Sequence, residues 1–233
     1  MPLKLAIFDC DGTLVDSQAS ILISMAACFT DHGLTAPPDD AIRGVIGLTL
    51  ADAIARLAPD RPSHEHAALA DRYRHHAALA AGDPDKSERV FAGIADTLDR
   101  LDAAGVLLTV ATGRGRRSLN DTLARPPLAN RFVASVTPDE ATGKPAPDMV
   151  LRLLAQTGVA AGDAVVIGDT DYDVTMARRA GVPALGVSWG YHPTDRLLAA
   201  GAVRIVERPA GLADAVLRCL GMAPAGLTEG AVA

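Results

Sequence analysis

Two carboxylates two residues apart, in Asp9-Cys10-Asp11-Gly12-Thr13, close the apolar run Leu5-Ala6-Ile7-Phe8. Where a strand runs out, residues i and i+2 project to the same side, so Asp9 and Asp11 should share one space. Gly12 allows a sharp backbone turn, and the N–H groups of Gly12 and Thr13 are expected to meet a bound anion. One carboxylate can attack as a nucleophile while the other handles protons, provided a cation relieves their mutual repulsion. Metal-assisted phosphoryl transfer is the chemistry that fits. An exposed acidic turn could carry the same pentapeptide, so the downstream chain has to decide between the two.

Three further segments do so. Val106-Leu107-Leu108-Thr109-Val110-Ala111 reads as a strand and ends in Thr112-Gly113-Arg114. Gly143-Lys144-Pro145-Ala146-Pro147-Asp148 places a cation just before a helix start marked by prolines and an acid. Ala164-Val165-Val166-Ile167 runs out into Gly168-Asp169-Thr170-Asp171-Tyr172-Asp173. In a parallel sheet flanked by helices, such strand ends lie on one edge, where ligands bind. In this order the four segments resemble the signature of the haloacid dehalogenase superfamily of phosphohydrolases, over nearly the whole chain. The stretch from Phe8 to Ser17 is most similar to phosphoglycolate phosphatases.

The residues and the resemblance together assign roles. Asp9 is the expected nucleophile, forming an aspartyl phosphate, and Asp11 the general acid/base. Thr112 offers a hydroxyl to the phosphate, helped by the N–H of Gly113, and Lys144 neutralises charge on phosphate and Asp9. The resemblance implies a Mg²⁺ site formed by Asp9, the backbone carbonyl of Asp11, Asp169 and Asp173, with waters and a phosphate oxygen completing the octahedron. Asp171 could replace Asp173 there, or simply cap the helix. Arg43, in the cap-like loop Arg43-Gly44-Val45-Ile46-Gly47, is expected to hold an anionic group at the far end of the substrate.

Blander readings stand beside these. Lys144 alone would be a solvated surface lysine, and Thr112 a helix cap. Cys10 reads as a small packed side chain. His64, His66, His75 and His76 lie among Arg72, Tyr73 and Arg74, and read as a solvated helix face rather than metal ligands. Asp169 is harder to dismiss, because a buried strand seldom ends in several acids without a cation to receive them.

Competing chemistries divide on particular positions. Dehalogenases of the superfamily typically lack an acid where Asp11 stands. Sugar-phosphate mutases share all four motifs, but usually carry arginine at the position of Gly47. A receiver domain would place its phosphoacceptor on a later strand of a shorter chain. A non-catalytic phosphate-binding protein is the remaining alternative, and the intact Asp9–Asp11 pair argues against it. Thr112-Gly113-Arg114 itself departs from the commoner Thr-Asn-Lys of the relatives. The expected activity is therefore hydrolysis of a small phosphorylated metabolite, with 2-phosphoglycolate the best match.

The 233 residues can bury a sizeable core, and at 49% hydrophobic but 3% aromatic it must be built from Ala, Val, Leu and Ile. A net charge of −6 leaves no electrostatic footprint for nucleic acid and argues against an anionic membrane surface. Cys10, Cys28 and Cys219 are odd in number and lack metal-ligand spacing, which speaks against disulfides and zinc. Without a leader pattern or a membrane-length apolar run, the expectation is a soluble, cytoplasmic monomer or homodimer.

The elements that position these residues follow from periodicity. Residues 17–85 read as all helix: 21–29 at helical spacing, a start at Pro37-Pro38 capped by Asp39 or Asp40, 50–57, and 63–81, with Gly82-Asp83-Pro84-Asp85 as a hinge. Beyond residue 91 helix and strand alternate, with helices at 94–101, 118–124, 149–156, 174–180 and 212–220 and strands at 132–136, 183–187 and 203–206. The predicted architecture is a doubly wound parallel α/β sheet with an inserted all-helical cap. The core comprises residues 1–16 and 86–220, the cap 17–85, and a disordered tail 221–233.

Overall fold

The computed structural model describes residues 2–83 and 88–223. Strand β1 (Lys4–Phe8) leads through the two-residue β2 (Val15–Asp16) into four helices: α1 (Gln18–Asp31), α2 (Asp39–Arg43), α3 (Leu50–Leu57) and α4 (Ser63–Ala81). The chain returns in β3 (Arg89–Val90), which pairs antiparallel with β2. Alternation then begins with α5 (Ile94–Ala103), β4 (Val106–Ala111), α6 (Arg116–Leu123), β5 (Ala134–Val136) and α7 (Asp148–Thr157). It continues through β6 (Ala164–Gly168), α8 (Asp171–Arg179), β7 (Ala184–Val187), α9 (Thr194–Ala200), β8 (Arg204–Val206) and α10 (Leu212–Cys219).

Six strands form one sheet in the order β5-β4-β1-β6-β7-β8, every pairing parallel. This is the doubly wound α/β sheet that the alternation predicts. β1 holds the centre because its four apolar residues supply two buried faces. Ala6 and Phe8 point into a cluster with Leu98, Leu101, Leu108, Val110, Leu212 and Val216. Leu5 and Ile7 point the other way, onto Met149, Val150, Leu153, Val174 and Ala177. A continuous apolar run is what a strand covered on both sides requires. With β4 on one flank and β6 on the other, the connections diverge at β1, and the crevice above it is where ligands bind in such sheets.

The four helices between β2 and β3 carry their own core of Met25, Cys28, Phe29, Ile42, Ile54 and Leu69. α1 and α4 make the main packing, and residues 50–57 and 63–81 are helical as expected, the latter from an alanine- and histidine-rich composition without strand character.

Several expectations are corrected. Pro38, not Asp39 or Asp40, is the N-cap of α2; both acids sit in its first turn, drawn to Arg43 one turn on. The strand expected over 132–136 is confined to Ala134–Val136, although Val133 N still donates to Leu108 O at 2.9 Å; Phe132 packs edge-on against Phe8 at 6.3 Å. α9 was not anticipated: Leu197 is its single fully buried residue, too little for a periodic signal. The tail does not begin at 221. Gly221 closes α10 at φ +70, and Met222 packs on the core. Of the expected hinge, Gly82 and Asp83 end α4, while Pro84 and Asp85 lie outside the described residues, as does the chain beyond Ala223. Among the described residues no helix is long and apolar enough to cross a membrane.

Candidate active site

Four loops meet above the carboxyl ends of β1, β4 and β6. Asp9 continues the β1–β6 ladder by donating its N–H to Ile167 O at 2.8 Å, which fixes its backbone. The residue is 2% exposed. Lys144, 1% exposed at the entrance to α7, reaches across so that Nζ lies 2.5 Å from Asp9 Oδ1 and 2.6 Å from Asp173 Oδ1.

Asp173 is held by α8 itself. Its Oδ2 accepts from Thr170 N at 3.1 Å and Thr170 Oγ1 at 2.6 Å, while Thr170 Oγ1 accepts from Asp173 N. That reciprocal cap fixes the helix start and the carboxylate together. Asp169 accepts from Thr13 Oγ1 and from Tyr191 N, both at 2.9 Å. Asp9 Oδ2 is buried with no hydrogen-bond partner among the described residues.

Three buried carboxylates therefore face one ammonium. Burial and the neighbouring Asp173 push Asp9 well above the ordinary carboxylate range, against the pull of Lys144. Burial and Asp173 likewise push Asp169 up to about 7. Burial disfavours the charge on Lys144, but Asp173 and Asp9 outweigh it and hold the ammonium above its usual range. Asp9, Asp169 and Asp173 bring ligand oxygens within 4.8 Å of one another, the one such cluster found among the described residues. An all-oxygen, net-negative, buried set with an orphaned Asp9 oxygen fits a hard divalent cation.

Asp11 lies apart from that cluster. Arg114 Nε donates to Asp11 Oδ2 at 2.7 Å, and its Nη2 and Ser17 Oγ both donate to Oδ1. Burial opposes the charge on Asp11, yet the Arg114 guanidinium and the Ser17 hydroxyl hold its carboxyl below the usual range. Ser17 is braced in turn by Tyr191, whose hydroxyl accepts from Ser17 N at 2.9 Å.

The glycines mark close approach. At φ +80, Gly12 could not carry a Cβ without placing it 2.2 Å from Asp169 Oδ2. Its N–H is donated to Val15 O, so its expected role as an anion donor is corrected to one of shape. A Cβ on Gly113 would lie 2.3 Å from Leu48 O, and one on Gly143 2.2 Å from Thr49 Cγ2. The loop between α2 and α3 thus rests directly on the backbone of the strand-end loops.

Thr112 is buried at the end of β4, its Oγ1 accepting from Arg114 N at 3.3 Å; it caps no helix, as α6 starts after Gly115. Asp171 is neither metal-facing nor the cap of α8. It accepts from Arg196 at 2.8 Å and pairs with His192 Nδ1 at 2.9 Å. Arg43 is not brought to the carboxylate cluster; it binds Gln18 Oε1 at 2.6 Å and Asp40 at 2.7 Å. Of the histidines, His66 meets Ala58 O and His76 meets Asp31.

Trp189 and Tyr191 were missed. They follow β7, and Trp189 Nε1 donates to Thr13 O at 3.2 Å. The rule that led to the other loops, polar residues where a parallel strand ends, applies to Ser188-Trp189-Gly190-Tyr191 as well. A Cβ on Gly190 would lie 2.1 Å from Asp169 Cβ, so this loop too is pressed onto the acids.

The model of the haloacid dehalogenase-like hydrolases matches residues 6–187. The "Probable phosphatase IndB" of Dickeya dadantii is 33% identical, over 92% of this chain and 95% of its own. The N-acetylmuramic acid 6-phosphate phosphatase of Pseudomonas aeruginosa is 31% identical, over 94% of this chain and 97% of its own. The phosphoglycolate phosphatase of Agrobacterium fabrum is also 31% identical, over 80% and 81%. Among solved structures, a hydrolase from Pseudomonas syringae shares the fold at a TM-score of 0.83 with 24% identity, covering 92% of this chain and 98% of its own.

Proposed function

The chain belongs to the haloacid dehalogenase-like hydrolases, and from that premise we propose that it is a Mg²⁺-dependent phosphomonoesterase acting through an aspartyl phosphate. The observation that carries this reading is Asp9 itself: Oδ1 is fixed by Lys144, and Oδ2 is buried and unpartnered beside the other acids. That oxygen is free to attack phosphorus.

In the first displacement Asp9 Oδ2 forms a bond to phosphorus as the bond to the leaving oxygen breaks, and that oxygen takes a proton from Asp11; since Arg114 favours the ionised carboxylate, the proton is the one that Asp11 removes from water in the second displacement of the preceding turnover. In the second, Asp11 takes a proton from water, which displaces Asp9 and releases phosphate. Lys144 offsets negative charge on Asp9 and the phosphoryl oxygens, and Thr112 supplies a hydroxyl to them. Asp9, Asp169, Asp173 and the Asp11 carbonyl would hold Mg²⁺, which supplies charge neutralisation at the phosphoryl group when bound.

Two of the relatives support a reading of the substrate class. Phosphoglycolate and N-acetylmuramic acid 6-phosphate are both phosphomonoesters that carry a carboxylate. We assign this chain a substrate of that kind, small enough to sit beneath the helical insertion. Gly47 supports hydrolysis over sugar-phosphate transfer: the arginine usual in mutases is missing here, and at φ +97, with a Cβ 3.2 Å from Thr170 Oγ1, any side chain in its place would be strained.

The test is a panel of phosphomonoesters assayed with Mg²⁺ and after chelation, including both acids, a neutral sugar phosphate and an aryl phosphate. Metal-dependent release of phosphate, with the carboxylated esters preferred, is the expected result. Turnover that survives thorough chelation would overturn the metal assignment. A preference for the neutral ester would overturn the substrate class.

A further inference from the structure

Arg114 engages every N–H of its guanidinium. Nε and Nη2 grip both oxygens of Asp11, Nη2 also donates to Glu88 Oε2, and Nη1 donates to Thr122 Oγ1 at 2.8 Å and Ser118 Oγ at 3.5 Å. Thr122 Oγ1 donates in turn to Glu88 Oε1, closing a ring of partners. The side chain of Arg114 is 12% exposed, that of Asp11 11% and that of Glu88 15%. A guanidinium with all five donors placed is a rigid plane, and a carboxylate gripped by two parallel N–H bonds has its own plane fixed with it.

The two ends of this ring belong to different parts of the chain. Thr122 and Ser118 are on α6, packed against the sheet. Glu88 directly precedes β3, on the strand that returns from the helical insertion, and Ser17 lies directly after β2, on the strand that enters it. Asp11 is thus tied through Ser17 to the entering linker, and through Arg114 to both α6 and the returning linker.

We propose that Arg114 is the positioning residue for Asp11, that it sets the orientation from which Asp11 exchanges protons with the leaving group and water, and that Glu88 acts through Arg114 as its anchor. The proposal rests on the phosphatase reading above. Lysine, a point charge on a flexible stem, cannot supply the same two-point grip, so the arginine in Thr112-Gly113-Arg114 carries information that its charge alone does not.

Leaving-group dependence separates positioning of Asp11 from general support of the fold. A phosphate ester with a poor alkyl leaving group needs a proton as its bond breaks, whereas a dinitrophenyl ester does not. In rapid-quench experiments on the Mg²⁺-loaded protein, Arg114→Ala should slow phosphoenzyme formation from the alkyl ester by about 100-fold, and from the dinitrophenyl ester by no more than about threefold. Arg114→Lys keeps the charge between buried Asp11 and partly buried Glu88 and should still lower the alkyl-to-aryl ratio by about tenfold, which decides the matter if the alanine variant does not fold. Glu88→Gln should show the same pattern at smaller size, and the double variant Arg114→Ala/Glu88→Gln should be no worse than Arg114→Ala alone.

An equal loss on both esters, a wild-type ratio in Arg114→Lys, or additive losses in the double variant would overturn the assignment. A wild-type protein that forms no phosphoenzyme from either ester would instead overturn the phosphatase reading on which it rests.

Discussion

Charges at the strand ends and charges on the helical insertion are organised on opposite terms. At the strand ends the pairs are buried and join distant parts of the chain: Thr13 to Asp169 across 156 positions, Arg114 to Asp11 across 103. On the insertion, His76–Asp31 aside, they are local and largely exposed, as in Arg43–Asp40, Arg61–Glu65 and Arg74–Asp71, each three or four residues apart. Pairs of the second kind contribute a few tenths of a kcal/mol each. The first kind cannot form until the sheet has, and removing one partner leaves an uncompensated buried charge. The site is thereby fixed by topology, while these exposed pairs of the insertion can vary one by one without disturbing it.

That contrast can be broken most sharply at Asp9. Asp9→Asn should lower turnover by about 10⁴-fold or more, because an amide cannot form the acyl phosphate. Its thermal midpoint should not fall, since one of three crowded carboxylates has gone. A folded Asp9→Asn protein with wild-type rates would take the nucleophile role from it.

Lys144→Met should abolish activity too, but with a cost in stability of roughly 3–5 kcal/mol, as Asp9 and Asp173 lose their shared cation. Added Mg²⁺ should raise the midpoint of this variant more than that of the wild type, which thermal melts with and without the metal will show. Equal shifts would mean that lysine and metal do not answer the same buried charge.

Gly113→Ala probes the contact between the two regions. The added Cβ would press on Leu48 O, so the insertion must lift away while the sheet keeps its packing. The midpoint should fall by only about 4 °C or less, and kcat/KM by about tenfold or more. A large stability loss with activity retained would show the insertion to be part of one rigid body with the sheet.

The smallest effect belongs to Arg43. Its guanidinium already binds Gln18 and Asp40, so Arg43→Ala should lower kcat/KM for a carboxylated ester by no more than about threefold relative to an aryl phosphate. A loss above tenfold confined to the carboxylated ester would restore Arg43 as the reader of the substrate's anionic end.

The sheet was legible in the sequence because each of its longer strands is an apolar run ending in a polar cluster, and that pattern has few alternatives. Asp9, Lys144, Asp169 and Asp173 were legible for the same reason: each stands where a strand ends or a helix begins. What escaped was the pairing that depends on which loops become neighbours. Arg114 was visible as a departure from Thr-Asn-Lys, but its grip on Asp11 and Glu88 needs β1, β4 and the returning linker side by side. Asp171 and Asp173 are indistinguishable by type and differ in direction on α8, one toward His192 and Arg196, the other toward Lys144. Tyr191 reaches Ser17 and Asp169 from a loop whose strand is two removed from β1 in the sheet.

Trp189 is the single tryptophan in the sequence. Its indole donates to the carbonyl of Thr13 and meets Phe91, just beyond β3, edge to face at 6.5 Å. An indole's emission shifts with the polarity and hydrogen bonding around it, and here one fluorophore touches both the nucleophile loop and the linker. The protein therefore carries its own optical reporter: metal loading, phosphate binding and movement of the insertion can each be followed by intrinsic fluorescence, with no label and no background from a second tryptophan.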